Sequence, residues 1–153
     1  MGLKEILKSD LTEAIRSRDE LKSGTIRMVL TAITMEEVAG KEVRTLTEPE
    51  IITVLSREAK KRREAAEAFT DGGHPDRAER EKLEGEFIIT YLPAQLSEDE
   101  IKKMIAEAIT QSGASGPSGM GLVMKIISPQ IAGKADGGTV SGLVKAALTG
   151  GNQ

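Results

Sequence analysis

Apolar residues recur at helical spacing along almost the whole chain, and no segment alternates apolar with polar in the manner of a strand. Leu3, Ile6, Leu7, Leu11 and Ile15 predict a first amphipathic helix, and Gly24 reads as the break after it. Ile26, Val29, Leu30 and Ile33 carry a second, running to Gly40. A polar connection, Lys41 to Arg44, leads to Thr47-Glu48-Pro49-Glu50. That is a capping box: the Thr47 hydroxyl accepts from the Glu50 N–H while the Glu50 carboxylate reaches back. Pro49 is tolerated because a first-turn N–H has no helical partner. The third helix is predicted from Glu48 to Thr70, with Ile52, Leu55, Ala59, Ala66 and Phe69 on one stripe, closed by a left-handed cap at Gly72-Gly73. Pro75 opens a fourth that reaches Leu92 and turns Leu83, Phe87, Ile88 and Tyr91 inward before Pro93 stops it. Gly85 inside that helix costs about 1 kcal/mol against alanine, which predicts close approach of a neighbouring helix.

Pro93-Ala94-Gln95-Leu96 reads as a joint. Ser97-Glu98-Asp99-Glu100 is a second capping box, with three acids placed favourably against the helix dipole. Ile101, Met104, Ile105, Ala108 and Ile109 form the next stripe, and Gly113 to Ser118 a loop. A short helix is expected from Gly119 to Ile127, ending before Pro129. The turn Asp136-Gly137-Gly138-Thr139 leads into the last helix, which carries Val140, Leu143, Val144, Ala147 and Leu148. The expected fold is all-α: a four-helix N-terminal domain over residues 1–93, then a small three-helix tail domain over 94–153.

Composition narrows the function classes. The chain has 21 basic and 24 acidic residues, a net charge of −3 that argues against coating nucleic acid by bulk charge and leaves room for a local basic patch. Aromatics make up only 2%, so the cores must be built from Leu, Ile, Val, Met and Ala. With no cysteine there is no disulfide framework, thiolate metal site or thiol nucleophile. No apolar run approaches the roughly 20 residues of a membrane span, and the N-terminus lacks a signal-peptide core. A soluble cytoplasmic protein without a membrane partner is the expectation.

No catalytic residue, metal or cofactor is expected. His74 is the single histidine, in a Gly-Gly-His-Pro turn without metal-ligand company. No serine stands in a nucleophile elbow, and the glycine turns do not match a phosphate loop. The basic run Lys60 to Arg63 wraps about 300° of helix, so only part of it faces one ligand. Arg57, Lys60 and Lys61 share a face suited to successive phosphates, against which stands a solvated surface partly neutralised by Glu64 and Glu67. Arg62 falls on the apolar stripe and reads as structural, with Glu81 or Glu84 as partner. In the tail, Lys125, Lys134 and Lys145 flank glycine or apolar positions, and the Gly133 to Gly138 turn offers backbone donors to a phosphate. The alternative is that Gly121, Gly133 and Gly137 merely let short helices fold back tightly.

The residues Lys60-Lys61-Arg62-Arg63-Glu64, Gly72-Gly73, Tyr91-Leu92-Pro93 with Gln95-Leu96-Ser97, Met120-Gly121 with Val123-Met124, and Gly133-Lys134-Ala135-Asp136-Gly137 with Val140-Ser141 and Val144-Lys145 resemble the GatB/YqeY family. These are stand-alone proteins similar to the C-terminal region of the B subunit of aspartyl/glutamyl-tRNA amidotransferase. The motifs run in the family's order over essentially the whole chain. Gly119 and Leu122 depart from the pattern, which has an acid and a base there; His74 and Lys134 stand where arginine is common. The resemblance implies an N-terminal helical domain, a three-helix tail and a link to glutamine-dependent carbon–nitrogen ligation on tRNA. It also implies tRNA as a partner, which the modest positive charge of a net-acidic chain would bind weakly, and leaves room for a protein partner in translation or amidation. The residues themselves point to a binding surface without its own active site, and the resemblance makes the expectation a tRNA-associated binding module. The alternative is a helical protein-interaction adaptor, whose apolar docking lacks the steep salt dependence of phosphate contact.

Overall fold

In the computed structural model, which describes residues 1–150, seven α-helices and one short 3-10 turn account for the regular structure, with no strand among the described residues. They are α1 (Leu3–Arg16), α2 (Glu20–Glu37), α3 (Glu48–Asp71), α4 (Pro75–Ile89), α5 (Glu98–Ser112), α6 (Met120–Ile131) and α7 (Gly137–Leu148), with the 3-10 turn Pro117–Gly119 before α6. The chain divides into two compact units, Met1–Leu92 and a second that starts at Pro93.

In the first unit, Leu7, Ile26, Val29, Ile33, Leu46, Ile51, Val54, Leu55, Ala59 and Ile88 make one buried cluster. Both ends of α3 follow from local chemistry. The Thr47 N–H donates to Glu50 Oε2 at 2.8 Å, completing the capping box, and Gly73 takes φ +78° while the His74 N–H donates back to the Phe69 carbonyl at 2.8 Å. Several sequence expectations need correction. Gly24 lies within α2 and is no break; the reversal is at Arg18 (φ +58°), after which Asp19 caps α2 by accepting from the Lys22 N–H at 3.0 Å. An arginine in the left-handed region is unusual, and the sequence offers no glycine there to mark it. Ile6 and Ile15 are exposed, and Ala14 takes the buried position instead. On α3 Leu55 and Ala59 of the expected stripe are buried, but the face also takes in Ile51, Val54 and Glu58, while Ile52 is only half-buried. Leu83 on α4 is 41% exposed because the α3 contact runs through Ala78, Gly85 and Ile88.

Glu37 is the organising polar residue that periodicity does not reveal. It is buried at the end of α2, where its carboxylate accepts from Lys4 Nζ at 2.7 Å and from the Leu46 N–H at 3.1 Å. The 38–46 connection, which reads as simply polar, is thereby pinned, and Leu46 is carried into the core. At the other end of the unit, Tyr91 Oη donates to Asp10 Oδ2 at 2.6 Å and meets Phe87 edge-on at 5.5 Å, tying the chain after α4 to α1.

In the second unit, Ile101, Ile105 and Ala108 of α5, Val123, Ile127 and Ile131 of α6, and Val140, Val144 and Leu148 of α7 form the core. Each helix contributes at i, i+4 and i+7 or i+8, the spacing of a single apolar stripe. The Ser97 capping box is present. Pro129 is inside α6, contrary to the expected stop before it. A mid-helix proline removes one donor and crowds the preceding turn; burial of Ile131 beyond it holds the last turn in place. Gly119 is buried where a side chain would meet Ala114 Cβ at 2.7 Å, which explains its place ahead of α6.

Candidate functional site

The three tail lysines differ in setting from the basic residues of α3. Lys125 stands two residues from both Val123 and Ile127, so it projects about 200° around α6 from the core-facing stripe, and it is exposed. Leu122 beside it is 54% exposed. Lys145 follows the buried Val144 on the flank of α7, and Lys134 is exposed in the turn between the two helices. Among the described residues, none of these lysines forms an ion pair. From Gly113 to Gly150 the only other charged residue is Asp136.

The turn itself is more occupied than its composition suggests. Gly133 takes φ +74°, a conformation that strains any side-chain-bearing residue. The Lys134 and Ala135 N–H groups both donate to the Ile131 carbonyl, at 2.8 and 3.1 Å. The Asp136 carboxylate caps α7, accepting from the Thr139 N–H at 3.0 Å and from its hydroxyl at 2.9 Å. A carboxylate already placed at a helix N-terminus uses the site a phosphate would take. What the turn presents to solvent is therefore lysine side chains rather than a backbone nest.

Gln95, which belongs to the joint in the sequence, organises this turn. Its Nε2 donates to the Pro93 and Gly133 carbonyls, each at 2.8 Å, and the Leu96 N–H donates to the Lys134 carbonyl at 2.9 Å. The motif after Pro93 thus fixes the base of the lysine-bearing turn; α4 itself ends at Ile89, short of the expected Leu92, so Pro93 does not terminate it. Its signal in the sequence is the Gln95-Leu96-Ser97 run, but its target is 38 residues away and no spacing rule connects them.

Gly121 and Gly137, read as structural, are exposed with nothing within 4 Å of where a side chain would start. Neither has a left-handed backbone. That assignment is corrected: packing within the unit does not require glycine at either place.

The α3 group is largely engaged. Arg57 pairs with Glu36 at 3.2 Å and Lys61 with the buried Glu58 at 3.4 Å, while Lys60 is half-buried. Arg62 lies with its side chain 21% exposed, Nη1 3.5 Å from Glu81 Oε2 and Nε buried without a hydrogen-bond partner. Glu84 is taken by Arg80 at 3.1 Å. Among the described residues no group of three or more His, Asp or Glu is arranged to hold a metal, and no helix is long and apolar enough to cross a membrane.

Known proteins place this arrangement in context. The chain is 34% identical over 117 residues to "Altered inheritance of mitochondria protein 41, mitochondrial" of Lachancea thermotolerans, covering 73% of this chain and 60% of that protein. It is 30% identical over 129 residues to the protein of that name from Clavispora lusitaniae (82% and 74%), and 29% over 142 residues to that of Kluyveromyces lactis (92% and 72%). The chain thus spans less than two thirds of the Lachancea relative's length. The sequence model of the Yqey-like protein family matches residues 4–148, and the chain belongs to that family.

Proposed function

We propose that this chain is a binding module for folded RNA, tRNA foremost, with no active site of its own, and that Lys125, Lys134 and Lys145 carry the contact. The observation that bears the reading is the contrast between the two basic groups. Arg57 and Lys61 are spent on carboxylates, whereas the tail lysines are exposed, without ion pairs, on a stretch whose one acid is a helix cap. Exposed cations without partners release counterions when they meet phosphates, and that release drives binding. Gly121 and Gly137 beside them leave the helix surfaces low, so an RNA backbone approaches closely. Resemblance to the tail of the amidotransferase B subunit supports tRNA over other RNAs, and a protein partner in translation or amidation belongs to the same reading.

The proposal includes two separately packed domains, a four-helix one over residues 1–93 and a three-helix one over 94–153. It also keeps a cytoplasmic address, whereas the yeast relatives carry "mitochondrial" in their names. Lysine acetylation with and without tRNA tests the site. Lys125, Lys134 and Lys145 should be protected by tRNA while Lys8 and Lys41 react unchanged. Uniform protection, or none in the tail, removes the assignment.

A further inference from the structure

We infer that the groove between α3 and α4 in the first unit is a docking site for an amphipathic helix of net positive charge, contributed by a protein partner. This site is independent of the RNA reading and lies on other residues. It has a volume of about 910 Å³ and is lined on α4 by every position that a helical face allows from Pro75 to Ile89. That stretch is about 21 Å long at 1.5 Å per residue, room for a partner helix of four turns. The floor is made of small groups, chiefly Ala59, Ala66, Ala78 and Gly85. Small residues between two helices leave hollows that accept large aliphatic side chains from a third.

The rim decides the occupant. Arg63 and Lys82 share the lining with four acids, Glu67, Asp71, Glu79 and Glu86. None of these six forms an ion pair with a described residue, although most other charged residues of α3 and α4 near them, Lys61, Arg62, Arg80 and Glu84, are paired. A second copy of this chain would bring the same four-to-two excess of acid and leave acids facing acids. A helix with lysine or arginine flanking an aliphatic stripe matches both floor and rim, and like charges in a contact cost affinity. Leu83 and Ile89 show that α4 carries apolar surface beyond its contact with α3.

The probe is a fluorescent 18-residue leucine–lysine peptide patterned as an amphipathic helix, with its leucine–glutamate counterpart, titrated with the full chain by anisotropy. The leucine–lysine peptide should bind and the glutamate peptide should bind at least about tenfold more weakly. Glu79→Lys/Glu86→Lys should weaken the lysine peptide by about tenfold or more, and Ala66→Met, which fills the floor without changing charge, should do so with an unchanged circular dichroism spectrum. Glu42→Lys/Glu107→Lys makes the same change in net charge on exposed residues elsewhere and should leave binding within about twofold of the original. Equal loss from that control reduces the effect to bulk charge and overturns the proposal. So does binding indifferent to both groove variants, preference for the glutamate peptide, or a concentration-dependent dimer abolished by Ala66→Met, which would make a second copy the occupant.

Discussion

A side chain added at Gly85 would begin 3.2 Å from Arg62 Cβ, tighter than ordinary van der Waals contact, so α3 and α4 approach each other at this point as closely as a glycine permits. The same crossing places Arg62 against Glu81 at 3.5 Å and buries Gly85. Enlarging the residue at 85 forces the helices apart, as overpacking does in any well-filled contact.

Gly85→Leu should therefore destabilise the first unit by about 1–3 kcal/mol. Gly142→Ala should do the reverse, since α7 has nothing within 4 Å of that position and alanine gains helix propensity worth up to about 1 kcal/mol. Urea midpoints of the two variants check the pair. Shifts of the same sign would contradict the packing described for α4.

Arg62→Ala should cost about 1–3 kcal/mol through lost stem packing and a half-buried Glu81 left without its partner. Lys61 reads in the sequence as a phosphate contact or a solvated surface residue, but it is the ion-pair partner of Glu58, which is buried. Lys61→Met should therefore destabilise measurably, by up to about 1 kcal/mol, and a Glu58→Leu background should abolish the effect. Equal cost of Lys61→Met in both backgrounds would separate the two residues.

Stability should fall in acid. The Lys4 ammonium and the Leu46 N–H bonded to Glu37 hold its carboxyl below the ordinary 4.5, and the Thr47 N–H and Arg44 do the same for Glu50. A carboxyl depressed on folding contributes stability that is present above its unfolded value and lost as pH falls through its folded value. The loss thus belongs to the range from about pH 4.5 downward, and Glu37→Gln should flatten the acid limb of a plot of urea midpoint against pH. An unchanged acid limb would show that the Lys4–Glu37–Leu46 junction opens before Glu37 titrates.

Limited proteolysis should cut the Gly113 to Gly116 loop before Pro93 to Leu96. The joint looked free in the sequence, but Gln95 and Leu96 are hydrogen-bonded to the turn before α7. Gln95→Ala should make Ala94–Leu96 the faster site. Cleavage there at the same rate in both proteins would mean that the bonds of Gln95 do not restrain the segment.

These cases show what a linear pattern carries. Capping boxes at Thr47 and Ser97 and the stripes of α5 and α7 depend on neighbours three or four residues apart, so spacing reveals them. The close approach at Gly85 was legible for the related reason that a helix-interior glycine costs energy. Arg18 in a left-handed turn, the burial of Ile51 and Val54 in place of Ile52 on α3, Pro129 within α6, and the long-range bonds of Glu37 and Gln95 were not. Each is settled by packing or by a partner distant in sequence, and residue type alone does not report either. For the candidate site, the tail lysines were legible as residues; their lack of ion pairs, and the pairing of Arg57 and Lys61, required the structure.

The most direct measurement is a titration of tRNA with the intact protein and with the Lys125→Ala/Lys134→Ala/Lys145→Ala variant, by filter binding at about 50 and 200 mM salt. The original protein should bind with a dissociation constant in roughly the micromolar range at low salt and weaken steeply at the higher salt. The triple variant should bind at least about tenfold more weakly, with a shallower salt slope. Equal binding by both proteins, or no binding by either at low salt, would contradict an RNA-contact role for the tail lysines.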